Sequence, residues 1–187
     1  MPVYTYDPPD RFVAGTVGQP GERTFYLQAR SGSQTTSVAL EKGQVAQLAE
    51  RLDELLDEIA RRTGDVTAAG DAADQSGQGD DGPLELPLNE DFTVGAIALA
   101  WDHDGERVII EAQELTEEPL EPLADDVPED GPAVLRVRIT AADARAFSRR
   151  ALKVVSQGRP PCPLCGLPLD PEGHICPRQN GHRAGHG

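Results

Sequence analysis

Cysteine is missing from the first 161 residues of this 187-residue chain; all three cysteines fall in the last 26. That excludes a disulfide framework for the main body. Basic side chains are also scarce: 17 Lys and Arg stand against 32 Asp and Glu, and the formal charge of −15 disfavours any general attraction to nucleic acid or anionic membranes. No apolar run approaches the roughly 18 residues that span a bilayer. The opening MPVYTYDPPD has neither a charged n-region nor an apolar h-region. A soluble, cytoplasmic protein with no membrane partner is expected. Of four histidines only His103 lies outside the tail, so a His-assisted Ser or Cys nucleophile has little material, and no general acid and base pair stands out. A catalytic role is disfavoured.

Gly and Pro, by contrast, are abundant at 19 and 16, which suggests structureless stretches beside a modest core. Residues 65–83 (DVTAAGDAADQSGQGDDGP) have one Val, no aromatic and only acidic charge, too little apolar surface to offset ordering, and read as a flexible linker. Residues 116–132 (TEEPLEPLADDVPEDGP) read as a long, solvated, acidic Pro-rich loop.

An internal repeat surrounds these segments. Phe12-Val-Ala-Gly15 is matched by Phe92-Thr-Val-Gly95. The stretch from Gly21-Glu-Arg23 to Gln28-Ala29 is matched by that from Gly105-Glu-Arg107 to Glu111-Ala112. Val38-Ala-Leu40 is matched by Val137-Arg-Ile139. Each copy reads as three strands and a helix. In the first helix Val45, Leu48, Leu52, Leu55, Leu56 and Ile59 form one apolar stripe. The second starts at the N-cap Thr140, with Asp143 three residues on, buries Ala144, Phe147, Ala151, Val154 and Val155, and stops at Gly158 and Pro160. The expected fold is α+β: duplicated βββα units forming an antiparallel sheet packed against two helices, plus a small C-terminal zinc-ribbon-like element. The units fall at 1–64 and 84–158, and the tail at 159–187.

The tail carries the chemistry. In Cys162-Pro-Leu-Cys165-Gly166 two thiolates can grip one side of a tetrahedral Zn2+, and Gly166 allows the tight turn that aims amides at sulfur. His174 and Cys176, two apart, point to the same side of an extended strand and complete a closed Cys3His site. His182, six residues beyond Cys176, competes with His174 as fourth ligand. Such a mini-domain has no core of its own, so a structural zinc would supply its folding energy. A dithiol redox centre fits less well, because Pro and Gly follow Cys162 and no helix N-terminus is there to lower its pKa. Four protein ligands would leave no open position for catalysis.

The ending RPPCPLCGLPLDPEGHICPRQNG, the helix TAADARAFSRRALKVVSQG and the opening YDPPDRFVAGTVGQPGERTFYLQA together resemble an actinobacterial conserved hypothetical "repeat protein" family, a domain of unknown function spanning nearly the whole chain. The resemblance implies that the family's Cys, Cys, His, Cys set corresponds to Cys162, Cys165, His174 and Cys176. The family commonly has an aromatic at the position of His182, which favours His174. It also implies company with a histidine-phosphatase-like and a lipid-kinase-like protein, and no known activity.

Weaker signals remain. Gly15-Thr-Val-Gly18-Gln-Pro-Gly21 lacks the Lys-Ser or Lys-Thr of a phosphate loop and reads as a turn, as does Asp102-His103-Asp104-Gly105. Trp101 reads as a packing or rim aromatic. Arg145, Arg149, Arg150, Lys153 and Arg159, with Arg178 and Arg183, form a basic stretch that could meet phosphate or an acidic partner, or else be an ordinary solvated face or one neutralised by the chain's own acidic loop. The resulting expectation is a non-enzymatic adaptor for an unidentified protein partner, with a nucleic-acid-binding module as the alternative.

Overall fold

A computed structural model describes residues 2–64, 80–118, 121–124, 127–158 and 162–165. Among them the chain forms β1 (Val3–Tyr6), β2 (Arg11–Val17), β3 (Thr24–Ser31), β4 (Gln34–Leu40), α1 (Lys42–Thr63), β5 (Glu90–Asp102), β6 (Arg107–Glu114), β7 (Val134–Ile139) and α2 (Ala141–Ser156). The fold is α+β, and after β1 the element order runs strand, strand, strand, helix twice. Thr140 caps α2 as its sequence signals, its hydroxyl oxygen accepting from the Asp143 amide at 3.1 Å. Glu41 and Gln44 make a capping box on α1, which ends at Gly64 in the left-handed region.

The sheet order is β1-β7-β6-β5-β4-β3-β2. It is mixed, which corrects the antiparallel sheet expected from the sequence. Each triplet is an antiparallel meander, but β4 pairs with β5 in parallel, as does β1 with β7. The reason lies in the connection: α1 carries the chain back along the sheet, so the next strand starts in the direction of the one it joins. β1 has no place in either triplet.

The sheet is also strongly curled. Residues 7–10 lead from the edge strand β1 to the opposite edge strand β2. Laid flat, seven strands would be about 29 Å wide, whereas the five steps from Tyr6 to Arg11 reach at most about 18 Å. Curling lets the Tyr6 hydroxyl meet Thr36 Oγ1 of β4 at 2.7 Å, and Tyr4 stack on Phe92 of β5.

The helices pack together on the core side of the sheet, α1 burying Val45, Leu48, Ala49, Leu52, Leu56 and Ile59, and α2 burying Ala144, Phe147, Ser148 and Ala151. Leu55, Val154 and Val155, assigned to the stripes by periodicity, are only half-buried. Phe12 stacks on Phe147 with ring centroids 4.6 Å apart. Ser148 settles its buried hydroxyl on the Ala49 carbonyl at 3.1 Å.

Two irregular segments attach to equivalent positions of the repeat. Gln28 of β3 takes the Glu85 amide on its side-chain oxygen at 2.7 Å and donates to the Glu85 carbonyl at 3.2 Å. Its counterpart Glu111 of β6, buried to 1% exposure, accepts from the Leu123 amide at 2.9 Å and from Arg136 at 2.6 and 3.0 Å. Arg136 in turn donates to the Ala124 carbonyl at 2.7 Å. The Pro-rich loop is therefore more than solvated filler; its centre is tied to a buried ion pair. The repeated glycines follow the same logic. A Cβ on Gly15 would lie 2.6 Å from Leu84 Cδ2, and one on Gly95 only 2.7 Å from Leu115 Cα.

Candidate metal centre and basic face

The chain leaves α2 at Gln157 and reaches Cys162 five residues later. Cys162 is buried, Cys165 is half-buried, and residues 163–165 between and including the second thiol form a turn that exposes Leu164. A turn is the backbone shape that lets both sulfurs of a C-x-x-C address one ion. His174 and Cys176, as well as the competing His182, lie outside the described residues. Among the described residues no three His, Cys, Asp or Glu side chains gather as a metal-binding group.

The basic stretch on α2 turns inward. Arg145 donates to Asp53 of α1 at 2.8 Å and also pairs with Asp57. Burial opposes its charge, but the two carboxylates outweigh that and raise its pKa. Five residues on, Arg150 donates through Nε to the Ala14 carbonyl of the edge strand β2 at 2.7 Å and through Nη2 to the Gly82 carbonyl at 2.7 Å, and also bonds Asp80. Burial pulls its pKa below the usual guanidinium value. Lys153 reaches Asp81 at 2.9 Å. Arg149 is exposed.

From the other side Arg11 grips the Asp80 carboxylate and donates to the carbonyls of Gly82 and Pro83 at 3.1 and 2.9 Å. Arg11's hydrogen bond, working against burial, holds the Asp80 carboxyl below the ordinary range, with help from the Gly82 amide. Residues 80–83, grouped with the linker on composition, thus form a strap bound along the edge of β2. Edge strands need such cover, because their outer carbonyls and amides invite foreign pairing. The neutralising carboxylates are Asp53 and Asp57 of α1 and Asp80 and Asp81 of the strap. The strap was not legible in the sequence because its cations lie far away in the chain.

The other sequence candidates resolve as turns. Asp102 accepts from the amides of Asp104 and Gly105, each at 3.1 Å, and the Gly105 amide is the main cause of its lowered pKa. Gly18 and Gly21 take positive φ between β2 and β3, the role of glycine in a tight turn. Arg23, in the first Gly-Glu-Arg, donates to the Gln157 carbonyl at 2.6 Å, closing the end of α2. This long-range cap was missed, since nothing local to Arg23 announces it.

Residues 4–176 match a family model described as a protein of unknown function, DUF3090. The chain belongs to the DUF3090 family. The matched span, nearly the whole chain, agrees in extent with the uncharacterised family expected from the sequence; its description carries neither the repeat nor a zinc ribbon. The DUF3090 match takes in Cys162, Cys165, His174 and Cys176 and ends short of His182. No curated protein and no solved structure matches this member. No helix among its described residues is long and apolar enough to cross a membrane.

Proposed function

We propose that this DUF3090 protein is a non-enzymatic cytoplasmic adaptor: two duplicated βββα units form a rigid body, and a zinc-ribbon-like tail, residues 159–187, presents a surface to a protein partner. One structural Zn2+ is held by Cys162, Cys165, His174 and Cys176. The observation that carries this reading is the Cys162–Cys165 turn, with the first thiol buried just beyond α2. The end of the family match at Cys176 favours His174 over His182 as the fourth ligand. The nucleic-acid alternative has less support, because Arg145, Arg150 and Lys153 are engaged by the protein's own carboxylates and carbonyls. A pathway shared with phosphatase-like and kinase-like proteins remains part of the proposal through the family resemblance alone.

The test is metal content. Purified protein carries one zinc per chain, Cys165→Ser loses it, and His182→Ala keeps it, because a lost thiolate leaves a poor three-ligand site while a histidine outside the shell contributes nothing. The body stays folded in Cys165→Ser as the tail becomes protease-sensitive. Zinc retained in His174→Ala but lost in His182→Ala would overturn the ligand set. Metal-free wild-type protein from a zinc-replete preparation would overturn the site. Affinity purification from the native cell, with the site intact and with Cys165→Ser, tests the adaptor role.

A further inference from the structure

A cavity of about 560 Å³ opens where three elements meet. Phe25 of β3 with Val154 and Val155 of α2 supply its apolar wall, Arg23 enters from the turn before β3, and Lys42 enters from the first position of α1. The two cations reach consecutive residues at the end of α2. Arg23 donates through Nη1 to the Gln157 carbonyl at 2.6 Å, and a Cβ on Gly158 would lie 3.3 Å from Lys42 Nζ. Among the described residues no carboxylate lines the cavity.

In a chain with a formal charge of −15, most of the described arginines pair with carboxylates. Arg23 and Lys42 pair with none among the described residues, although Glu22 and Glu41 adjoin them in the sequence. Arg23 spends one donor on Gln157, and its buried Nε has no hydrogen-bond partner, a shortfall that costs free energy. Lys42 makes neither a hydrogen bond nor an ion pair among the described residues. Helix α1 gains nothing from it, because the first turn is the positive end of the macrodipole, where carboxylates stabilise and cations do not. The second copy of the repeat shows what the scaffold alone requires. There Ala141 stands at the first position of the helix, and Arg107 turns onto the carbonyls of Gly105 and Glu106 in its own hairpin.

We propose that this cavity binds a small phosphomonoester, its phosphate between Arg23 and Lys42 and its organic part against Phe25, Val154 and Val155. A phosphate monoester carries a charge of about −1.5 to −2 at neutral pH, which balances both cations where a carboxylate balances one. The guanidinium offers forked donors and the ammonium a point charge, the two means by which side chains hold phosphate oxygens. The volume lies within the roughly 300–1,000 Å³ of small-molecule sites, so there is room for more than the anion. No residue of the zinc-ribbon-like tail is invoked, and the inference stands apart from the adaptor reading.

The test uses the full chain, with phenyl phosphate as the probe. Titration followed by NMR shows saturating shifts of the Val154 and Val155 methyls and of the Arg23 side chain. Lys42→Ala weakens binding about tenfold, the loss expected for one charge-assisted contact. Arg149→Ala, which removes an exposed cation of α2 outside the cavity, leaves affinity unchanged. Inorganic phosphate lacks the organic part and benzoate the second charge, so each binds more weakly than phenyl phosphate. Both substituted side chains are exposed, and circular dichroism checks that the variants keep the fold. Should a variant unfold, the three probes on the wild type still decide. A wild-type protein with no saturable response to phenyl phosphate would overturn the proposal. Equal losses in Arg149→Ala and Lys42→Ala would overturn it as well, since they mark general attraction, as would benzoate or inorganic phosphate binding as tightly as phenyl phosphate.

Discussion

Glu111 and Arg136 show what a single charge contributes in this protein. The carboxylate is almost completely buried, and besides the guanidinium it serves the Leu123 amide and Gln113. Removing one member of such a pair strands the other, a loss that outweighs what the intact pair adds. Glu111→Ala is expected to lower unfolding free energy by about 3 kcal/mol in urea titration and to free the Pro-rich loop for proteolysis. Asp80 is a gentler case, since its side chain is 42% exposed and solvent screens it. Asp80→Asn should cost about 1 kcal/mol at neutral pH. Because Asp80's folded pKa lies below 3.8, its contribution is present above that value and is lost as pH falls through the lowered folded value. The gap between wild type and Asp80→Asn, followed by denaturant unfolding from pH 7 downward, should therefore close only in the acid range.

At the scale of the element, the repeated Phe-x-x-Gly signature marks where the two irregular segments press on the sheet. Gly15 and Gly95 both exclude a Cβ, yet their neighbours differ: Gly15 faces the flexible tip of Leu84, Gly95 the backbone of Leu115. Overpacking against a side chain can be relieved, but overpacking against backbone requires the segment itself to move. Gly15→Ala is expected to cost about 1 kcal/mol and Gly95→Ala about 3 kcal/mol. Thermal or urea unfolding of double variants separates the causes. Leu84→Ala should partly rescue Gly15→Ala, a strongly non-additive pair, while Leu115→Ala should leave most of the Gly95→Ala penalty in place.

For the molecule as a whole, the curl of the sheet joins the two triplets into one core. Tyr6 reaches Thr36, α1 packs on α2 through Ala49 and Ser148, and Arg145 crosses to Asp53. The helix and Arg145 contacts link the first part of the chain, up to Gly64, to the second, and β1, which Tyr6 ties to β4, pairs with β7 of the second part. Fragments 1–64 and 80–158 produced separately should show no cooperative unfolding, and mixing them should restore a transition close to that of the intact chain. Independent cooperative melting of either fragment would show that its core closes alone.

The sequence by itself determined the two strand triplets, the two helices with their buried stripes and the Thr140 cap, because these depend on residues within one turn or one hairpin of each other. It also determined the C-x-x-C turn as the place to seek a metal. The tertiary structure decided the rest. That the sheet is mixed follows from the path of α1, and that it curls follows from a four-residue connection between β1 and β2 whose ends lie at opposite edges. The sequence left the basic stretch on α2 open between a surface for phosphate, a solvated face and one neutralised by the chain's own carboxylates, and the fold set Asp53, Asp57, Asp80 and Asp81 against it. Local patterns record which side of an element is apolar. They do not record which distant carboxylate will lie within about 3 Å of an arginine, because that depends on the packing of the whole chain.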